Sequence, residues 1–400
     1  MVFGAQVVSY LGDWFAFVAL AGLVEDVTDS RFLVSLVLVS MTIPGLFMSP
    51  IAGSFADRFD RRKILIVVSV LQAFAALLLL LHSAAGIWIT FVAQCLIAGL
   101  AAFVGPSSSA SVPNLVDNDD DLRKTNALFG STWGTMLAVG AALGGVFAAA
   151  FGRNAAFIAN AISFVVAALL FSGVKRPMQS ERAATTSTTR RVRPIADMKE
   201  AINVAKKDPV ILALLCSKMT FAVGAGIVSQ LAVLASNVFN VGDSGRGLLI
   251  GVRGIGSGLG PILGAQIAGR DMAKLLKVCG YAGLVFAVCY VGAALSPFIG
   301  MAAVFIALAH LSGGAQWTLS TLGLQMEAPD HVRGRVMAGD MAMVNTMIGF
   351  TSILAGLTSQ FIGVRPAIII FAAAAAAASV VYLFATAGII RRLRNETPHQ

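Results

Sequence analysis

The stretch Gly53-Ser-Phe-Ala-Asp-Arg-Phe-Asp-Arg-Arg-Lys63, GSFADRFDRRK, places six charged side chains within residues 57–63, between two long apolar runs. Such a cluster is conspicuous because only 12% of the whole sequence is charged and 57% is hydrophobic. The mean hydropathy is +0.83, whereas soluble domains carry about 25% charged residues. The composition therefore excludes an ordinary soluble protein.

Apolar runs recur along the whole chain, and many reach the roughly 20 residues that a helix needs to cross a bilayer. Alternating ten-residue segments, which are typical of membrane barrels, are absent from the sequence, so helices are the expected spanning structure. The first run begins beside Met1 without a basic leader, and we expect it to be a retained helix. The sequence predicts an all-α integral membrane protein with twelve spans: 2–24, 32–56, 64–82, 87–108, 127–150, 154–174, 209–236, 246–268, 274–295, 298–322, 336–360 and 366–390.

The positive charges indicate the orientation of the chain in the membrane. Of the 29 Lys and Arg, 23 fall in alternate loops and the tail: 57–63, 123–124, 175–207, 270–277, 333–335 and 391–394. Positive loops stay in the cytoplasm, so we expect both termini to be cytoplasmic, in a bacterial inner membrane. GSFADRFDRRK is then the cytoplasmic turn between helices 2 and 3. The net charge of +9 reflects this topology and does not indicate nucleic-acid binding.

A long polar segment divides the spans into six and six. The predicted organisation is an N-terminal bundle (1–174), a cytoplasmic linker (175–208), a C-terminal bundle (209–390) and a cytoplasmic tail (391–400). Within the linker, apolar residues on one helical face predict an amphipathic helix on the inner membrane surface: Ile195, Met198, Ile202 and Ala205.

The two halves also echo each other at a nearly constant offset. Gly12 and Gly224 are 212 residues apart, PIAG at 50–53 and PILG at 261–264 are 211 apart, and Leu122-Arg123 precedes Val332-Arg333 by 210. This order favours a duplicated six-helix unit. Two parallel repeats with a substrate site between them near the midplane are one architecture of secondary transporters.

At this point the sequence resembles the major facilitator superfamily over essentially its whole length. The helix 2–3 loop matches the family motif G-x-x-x-D-R-x-G-R-R/K, with Asp60 at the second glycine position; the matching residues are Gly53, Asp57, Arg58, Arg61 and Arg62. The D-R-x-D-R-R version, with PDHVRGRVMA at 329–338, is similar to the enterobactin-exporter and macrolide-efflux branch.

The resemblance implies that this loop acts as a cytoplasmic latch. Asp57 is placed to face the N-terminus of helix 11 or Arg335, and Asp340 is assigned to the same latch. The basic residues of the loop are expected to pair with the acidic run 117–121. The alternative is that these charges only fix topology.

A second family motif lies on helix 5 and is incomplete. The antiporter ending G-P-x-x-G-G appears with Gly140, Gly144 and Gly145 but with Ala141 in place of the proline, and Met136 replaces an upstream glycine. Close helix packing is still expected from these glycines, whereas the indication of antiport is weaker. The family's helix 4 arginine is also missing, and Gln94 is the polar residue there.

Three charged residues lie inside predicted spans, where they are costly and therefore functional candidates. Asp13 on helix 1 is the candidate proton carrier, against the alternative of a structural carboxylate. Lys218 on helix 7 and Arg253 on helix 8 would favour an anionic substrate in a central cavity, or pair with Asp13, and snorkelling is the alternative for Lys218. Further pathway candidates are polar or aromatic residues that also serve simply to join helices: Gln94, Trp133, Gln230, Gln316 and Trp317.

The sequence therefore predicts a secondary transporter that exports an amphipathic, drug- or siderophore-like small molecule by proton antiport with alternating access. An importer or facilitator is the first alternative, and a non-transporting scaffold or receptor a remote one. The four scattered histidines and the absence of a G-x-x-x-x-G-K-S/T sequence argue against an enzyme and against a nucleotide-driven pump. We expect no cofactor, no metal and no nucleic-acid partner. The expected partners are the substrate, protons and the lipid bilayer, and the expected state is a monomer.

Overall fold

A computed structural model describes residues 1–116, 119–178, 206–268 and 271–396. Within these ranges every regular element is helical, and twelve helices are long and apolar enough to cross a membrane, as predicted. The helices are α1 (Val2–Thr28), α2 (Arg31–Arg58), α3 (Arg61–Leu78), α4 (Trp88–Leu115), α5 (Asp119–Phe151), α6 (Arg153–Ser172), α7 (Pro209–Gly224), α8 (Asp243–Ala268), α9 (Met272–Leu295), α10 (Ile299–Glu327), α11 (Asp330–Ile362) and α12 (Val364–Glu396). The predicted amphipathic helix of the linker falls outside the described residues.

Two helices continue beyond these bounds with different winding. α3 runs on through a 3-10 turn, Leu79–Leu81, into a short helix, His82–Ala85. α7 runs on as a 3-10 segment, Ala225–Gln230, a single α turn, Leu231–Val233, and a π-helical segment, Leu234–Val238. Nothing in the amino-acid pattern had indicated this change of winding in α7.

The residues group into two compact units. Unit 1 comprises Met1–Val192 and Val241–Gly251, and unit 2 comprises Arg193–Asn240 and Val252–Gln400. The division predicted from sequence assigned all of 209–390 to the second bundle. In the structure, the segment Val241–Gly251, which contains the start of α8, belongs to unit 1 instead.

Equivalent helix ends in the two units use the same local chemistry at a spacing of 211 residues. Asp60 caps α3 by accepting from the Lys63 N–H at 3.0 Å, and Asp271 caps α9 by accepting from the Lys274 N–H at 3.0 Å. Such caps satisfy backbone donors that a helix start leaves unpaired.

The turns follow the same repeat. Gly152 (φ 84°) and Gly363 (φ 93°) adopt left-handed backbone before α6 and α12, and Asp29 (φ 48°) and Asn240 (φ 54°) do so before α2 and α8. These are residue types that tolerate this conformation. The duplicated helical unit inferred from weak sequence echoes is therefore visible in the backbone.

Each unit has its own apolar core, and apolar side chains also cover much of the outer surface. The core of unit 1 includes Leu65, Val104 and Phe171, and the core of unit 2 includes Leu214, Leu276 and Leu324. Large side chains such as Phe361 and Phe384 are 84% and 79% exposed. A surface of this kind suits lipid rather than water.

Candidate functional site

Five charged residues form a network at the end of unit 1 opposite the α2–α3 loop. They come from the end of α1, the start of α6 and the start of α8, and we call them the far-end network: Glu25, Asp26, Arg153, Asp243 and Arg246. Arg246 Nη2 lies 2.7 Å from Glu25 Oε2, and its Nη1 lies 2.6 Å from Asp243 Oδ1. Arg153 Nε lies 2.9 Å from Asp243 Oδ2, and its Nη2 lies 2.7 Å from Asp26 Oδ2.

The far-end network is largely enclosed, and a glycine provides the room for it. The side chains of Arg246 and Glu25 are only 3% and 6% exposed. A Cβ at Gly22 would lie 2.8 Å from Arg246 Nη1 and 2.9 Å from Arg153 Nε, so a larger residue would displace the guanidinium groups. The network holds three carboxylates against two guanidinium groups; Arg153 bridges two of the acids, and Arg246 lies within 3.7 Å of all three.

The three glycines of the incomplete antiporter motif all lie at close helix contacts in unit 1. A Cβ at Gly140 would lie 2.9 Å from Trp14 Cβ, and one at Gly144 would lie 2.7 Å from the Cα of Phe15. Gly145 faces α8, where a Cβ would lie 2.7 Å from the Cα of Gly247. Helix α5 thus uses two glycines against α1 and the third against α8, in agreement with close helix packing.

Asp13 is a partly buried carboxylate in the interior of α1. Its neighbour Gly12 packs tightly on α6, because a Cβ there would lie 2.6 Å from Asn160 Oδ1. Among the described residues, Asp13 has no hydrogen bond or ion pair, although Tyr10 lies near enough to interact with it electrostatically. A carboxylate in this position is available to an external partner such as a proton.

Arg61 is the residue of the helix 2–3 loop whose contacts are best defined. Its guanidinium donates to three backbone carbonyls, those of Ala56 (3.0 Å), Ala110 (2.6 Å) and Met178 (3.3 Å). Arg62 donates to the Ser172 carbonyl. These bonds join the end of α2, the end of α4 and the segment after α6, so Arg61 braces unit 1 through its backbone.

The remaining latch residues do not have described side chains, and neither does one pathway candidate. These residues are Gly53, Asp57, Arg58, Trp133 and Arg335, and the acidic run 117–121 is outside the described side chains as well. The expected latch therefore stays a prediction.

Unit 2 contains a fully buried ion pair between α7 and α11. Lys218 Nζ pairs with Asp340 Oδ2, and the two side chains are 1% and 0% exposed. The ammonium also donates to Thr321 Oγ1 at 2.8 Å and lies 4.9 Å from the centre of the Trp317 ring. Asp340 Oδ1 is buried without a hydrogen-bond partner in the described part of the chain.

This pair corrects two expectations from the sequence. Asp340 was assigned to the cytoplasmic latch, but it lies ten residues into α11 and pairs with Lys218. Lys218 was expected to face a cavity or to snorkel, but its ammonium is buried within unit 2. The physical reason is that each buried charge needs a counter-ion, and the two charged positions lie at similar depth on adjacent helices.

The glutamine candidates are buried and do not line an open path. Gln316 donates to the Ser217 carbonyl (2.5 Å) and to Thr220 Oγ1 (2.8 Å), joining α10 to α7. Gln230 donates to Ser229 Oγ at 3.0 Å and is 0% exposed, and Gln94 is 6% exposed. Trp317 is half-buried, and its ring makes a cation–π contact with the Lys218 ammonium.

A second buried polar group in unit 2 joins α8, α9 and α10. The Tyr290 hydroxyl and His310 Nε2 lie 2.7 Å apart, and both residues are almost fully buried. Arg253 is near enough to interact electrostatically with both. The rings of Phe286 and Phe221 pack near the imidazole, with ring centroids 5.8 and 6.3 Å from that of His310.

Sequence reasoning missed the far-end network and the Tyr290–His310 pair. Arg153 and Arg246 were not singled out from the sequence, and His310 was only one of four scattered histidines. The available signal for the network was that acidic and basic residues occur together at the ends of three apolar spans. Nothing in the sequence indicated which of these ends meet.

Twelve apolar helices in two related units, with charged pairs buried inside the spans, define an integral membrane transporter. The family model described as transmembrane secretion effector matches residues 1–394, and the chain therefore belongs to this family of major facilitator transporters. The predicted superfamily is confirmed, as is the prediction that the protein is a transporter and not an enzyme.

Curated relatives cover most of the chain at low identity. A protein of Bacillus subtilis (strain 168) named as a bacilysin exporter, BacE, is 23% identical over 363 residues, covering 88% of this chain and 86% of its own. The Staphyloferrin A transporter of Staphylococcus aureus (strain NCTC 8325 / PS 47) is 23% identical over 393 residues, covering 96% and 94%.

Solved structures agree on the fold. A bacterial homologue of the human lysosomal transporter Spinster, in an inward-facing and occupied conformation, superposes with a TM-score of 0.75 at 14% identity over 96% of each chain. An auto-inhibited peptide transporter of the POT family gives 0.67 at 13% identity over 96% of each chain.

Proposed function

We propose that this protein is a secondary active exporter that expels an amphipathic, drug- or siderophore-like molecule from the cytoplasm in exchange for protons, by alternating access. The membrane is the bacterial inner membrane, with both termini in the cytoplasm, as the distribution of Lys and Arg favours. Export is supported by the relative named as a bacilysin exporter, and a siderophore-like substrate by the relative named as a Staphyloferrin A transporter.

The observation that carries proton coupling is Asp13. It lies within an apolar span and, among the described residues, has neither a hydrogen bond nor an ion pair to hold its charge. The other described carboxylates inside the spans that are not exposed have basic partners: Glu25 and Asp243 pair with Arg246, and Asp340 pairs with Lys218. An uncommitted carboxylate at this depth suits reversible protonation as the carrier changes its access.

The test is accumulation in an efflux-deficient bacterium that expresses the native protein, Asp13→Asn, or the control Asp29→Asn. Asp29 is an exposed acid that follows the same helix, and asparagine tolerates its left-handed backbone. We would follow a panel of siderophores, macrolides and dyes, with and without a protonophore. We expect at least one compound to be held low by the native protein and by Asp29→Asn, and this effect to vanish with Asp13→Asn or the protonophore.

Other outcomes would decide against parts of the proposal. If cells with the native protein accumulate more of a compound, the protein is an importer. If Asp13→Asn exports as well as the native protein and remains sensitive to the protonophore, Asp13 is not the proton carrier. If the protonophore has no effect on export, proton antiport is wrong.

A further inference from the structure

Arg253 is a cation inside a membrane span without a protein counter-ion among the described residues. It lies ten residues into α8, which is about 15 Å from the start of the helix at 1.5 Å per residue. The other buried basic residues that the structure describes all have partners: Lys218 pairs with Asp340, Arg246 with Glu25 and Asp243, and Arg61 donates to three backbone carbonyls. An uncompensated charge in this position costs several kcal/mol, and a bound anion would remove that cost.

Arg253 is partly buried, and its guanidinium has an unused donor. Its Nε is buried and has no hydrogen-bond partner in the described part of the chain, while the residue as a whole keeps intermediate exposure. Arginine cannot lose its charge in a protein, and its planar fork matches a carboxylate with two parallel hydrogen bonds. Arg253 thus combines an unused buried donor with a side chain that is not fully enclosed.

The polar neighbours of Arg253 are Tyr290 and His310. The Tyr290–His310 pair supplies a hydroxyl and an imidazole, and Phe286 and Phe221 pack their rings around that imidazole. Close packing fixes the arrangement, because a Cβ at Gly256 on α8 would lie 3.0 Å from His310 Cβ on α10. A cation without a counter-ion inside an apolar span fits an anion that carries an apolar body.

We propose that Arg253 binds the carboxylate of an amphipathic substrate, with the buried Tyr290–His310 pair as its polar neighbour. The inference rests on the proposed function, because it names the chemical class of the exported molecule as carboxylate-bearing. Arg253 is then the residue that distinguishes a free acid from its neutral ester.

Binding is measured on the purified full-length protein in detergent, without a proton gradient. The probes are dansyl-phenylalanine and its methyl ester, and rhodamine 110 and its methyl ester rhodamine 123, which differ within each pair only in the carboxylate. Titrations of the thermal unfolding midpoint give the affinity of each probe. We expect at least one free acid to raise the midpoint and to bind at least tenfold more tightly than its ester.

Three variants assign the preference. Arg253→Gln should abolish the acid-over-ester preference, and Arg253→Lys should keep a weaker one because it retains the charge without the planar fork. Lys274→Gln removes an exposed positive charge from unit 2 and should bind like the native protein. If Arg253→Gln does not fold, the test rests on Arg253→Lys. This variant should still bind the free acids more tightly than their esters, but by a smaller factor than the native protein does.

The proposal is overturned if neither acid binds, if acid and ester bind equally, or if Arg253→Gln retains the preference. The outcome is separable from that of export. If the protein binds acids through Arg253 but exports nothing, the Arg253 site is supported and the proposed function is wrong. If the protein shows proton-driven export but no preference for acids, the proposed function is supported and the Arg253 site is wrong.

Discussion

Gly145 of α5 and Gly247 of α8 lie backbone to backbone in unit 1. A Cβ on Gly145 would lie 2.7 Å from the Cα of Gly247, and a Cβ on Gly247 would lie 2.8 Å from the Cα of Gly145. Both distances are too short for carbon atoms, and the obstacle is backbone that has no rotamer to change. This contact therefore depends on two glycines at once.

We expect Gly145→Ala to lower the free energy of unfolding by about 1–3 kcal/mol, the usual cost of overpacking. The matched control is Gly258→Ala on α8, because no heavy atom lies within 4 Å of the Cβ position there. That control should be neutral or stabilising by up to about 1 kcal/mol, since alanine favours helix over glycine. Thermal unfolding in detergent measures both. Equal destabilisation of the two variants would contradict the contact.

The Lys218–Asp340 pair predicts strong non-additivity. Lys218→Met or Asp340→Leu alone should destabilise unit 2 by about 3–5 kcal/mol, because each leaves a buried charge without its partner. The double variant should recover most of that loss, since two apolar side chains remove both charges. A double-mutant cycle on unfolding free energies measures the coupling. Additive losses would show that the two charges do not depend on each other.

The far-end network predicts different effects for two acids on α1. Glu25→Gln should destabilise the protein by about 1.5–3 kcal/mol, because Arg246 loses a buried charge-assisted hydrogen bond. Asp29→Asn, at the exposed end of the same helix, should stay within about 0.5 kcal/mol of the native protein. Unfolding midpoints of the two variants test this difference. A native midpoint for Glu25→Gln would mean that Asp243 alone is sufficient for Arg246.

Arg61 predicts a geometric requirement rather than a charge requirement. Arg61→Lys keeps the charge but offers no planar fork, so it should lose part of the three carbonyl contacts and destabilise unit 1 by about 1–3 kcal/mol. Lys63→Gln, two residues further along α3 and exposed, should leave stability unchanged. If instead Lys63→Gln were the damaging change, net charge in the loop would be the determinant.

Much of the fold was predictable because the bilayer imposes it. The number and order of the spans follow from apolar length alone, and the duplication follows from the nearly constant offset between Gly12 and Gly224, or PIAG and PILG. The structure shows the same repeat at Asp60 and Asp271, where both carboxylates cap a helix. Local rules of this kind can be read from sequence because they involve neighbouring residues.

The candidate sites were harder to predict because they depend on contacts between distant residues. Lys218 was recognised as a costly charge and Asp340 was assigned to the latch, but their sequence separation hid the fact that each satisfies the other. Arg246 and Glu25 were not singled out for the same reason. Sequence identifies which groups need partners, but helix packing decides which partners they receive.

The winding of α7 has a mechanical consequence. A 3-10 helix rises about 2.0 Å per residue and an α-helix about 1.5 Å, so the six residues Ala225–Gln230 make the helix about 3 Å longer than uniform α winding would. Both windings pair backbone groups within the helix, and a bilayer requires such pairing. A change between the two windings would therefore alter the length of α7 by about 3 Å while its backbone groups stay hydrogen-bonded within the helix.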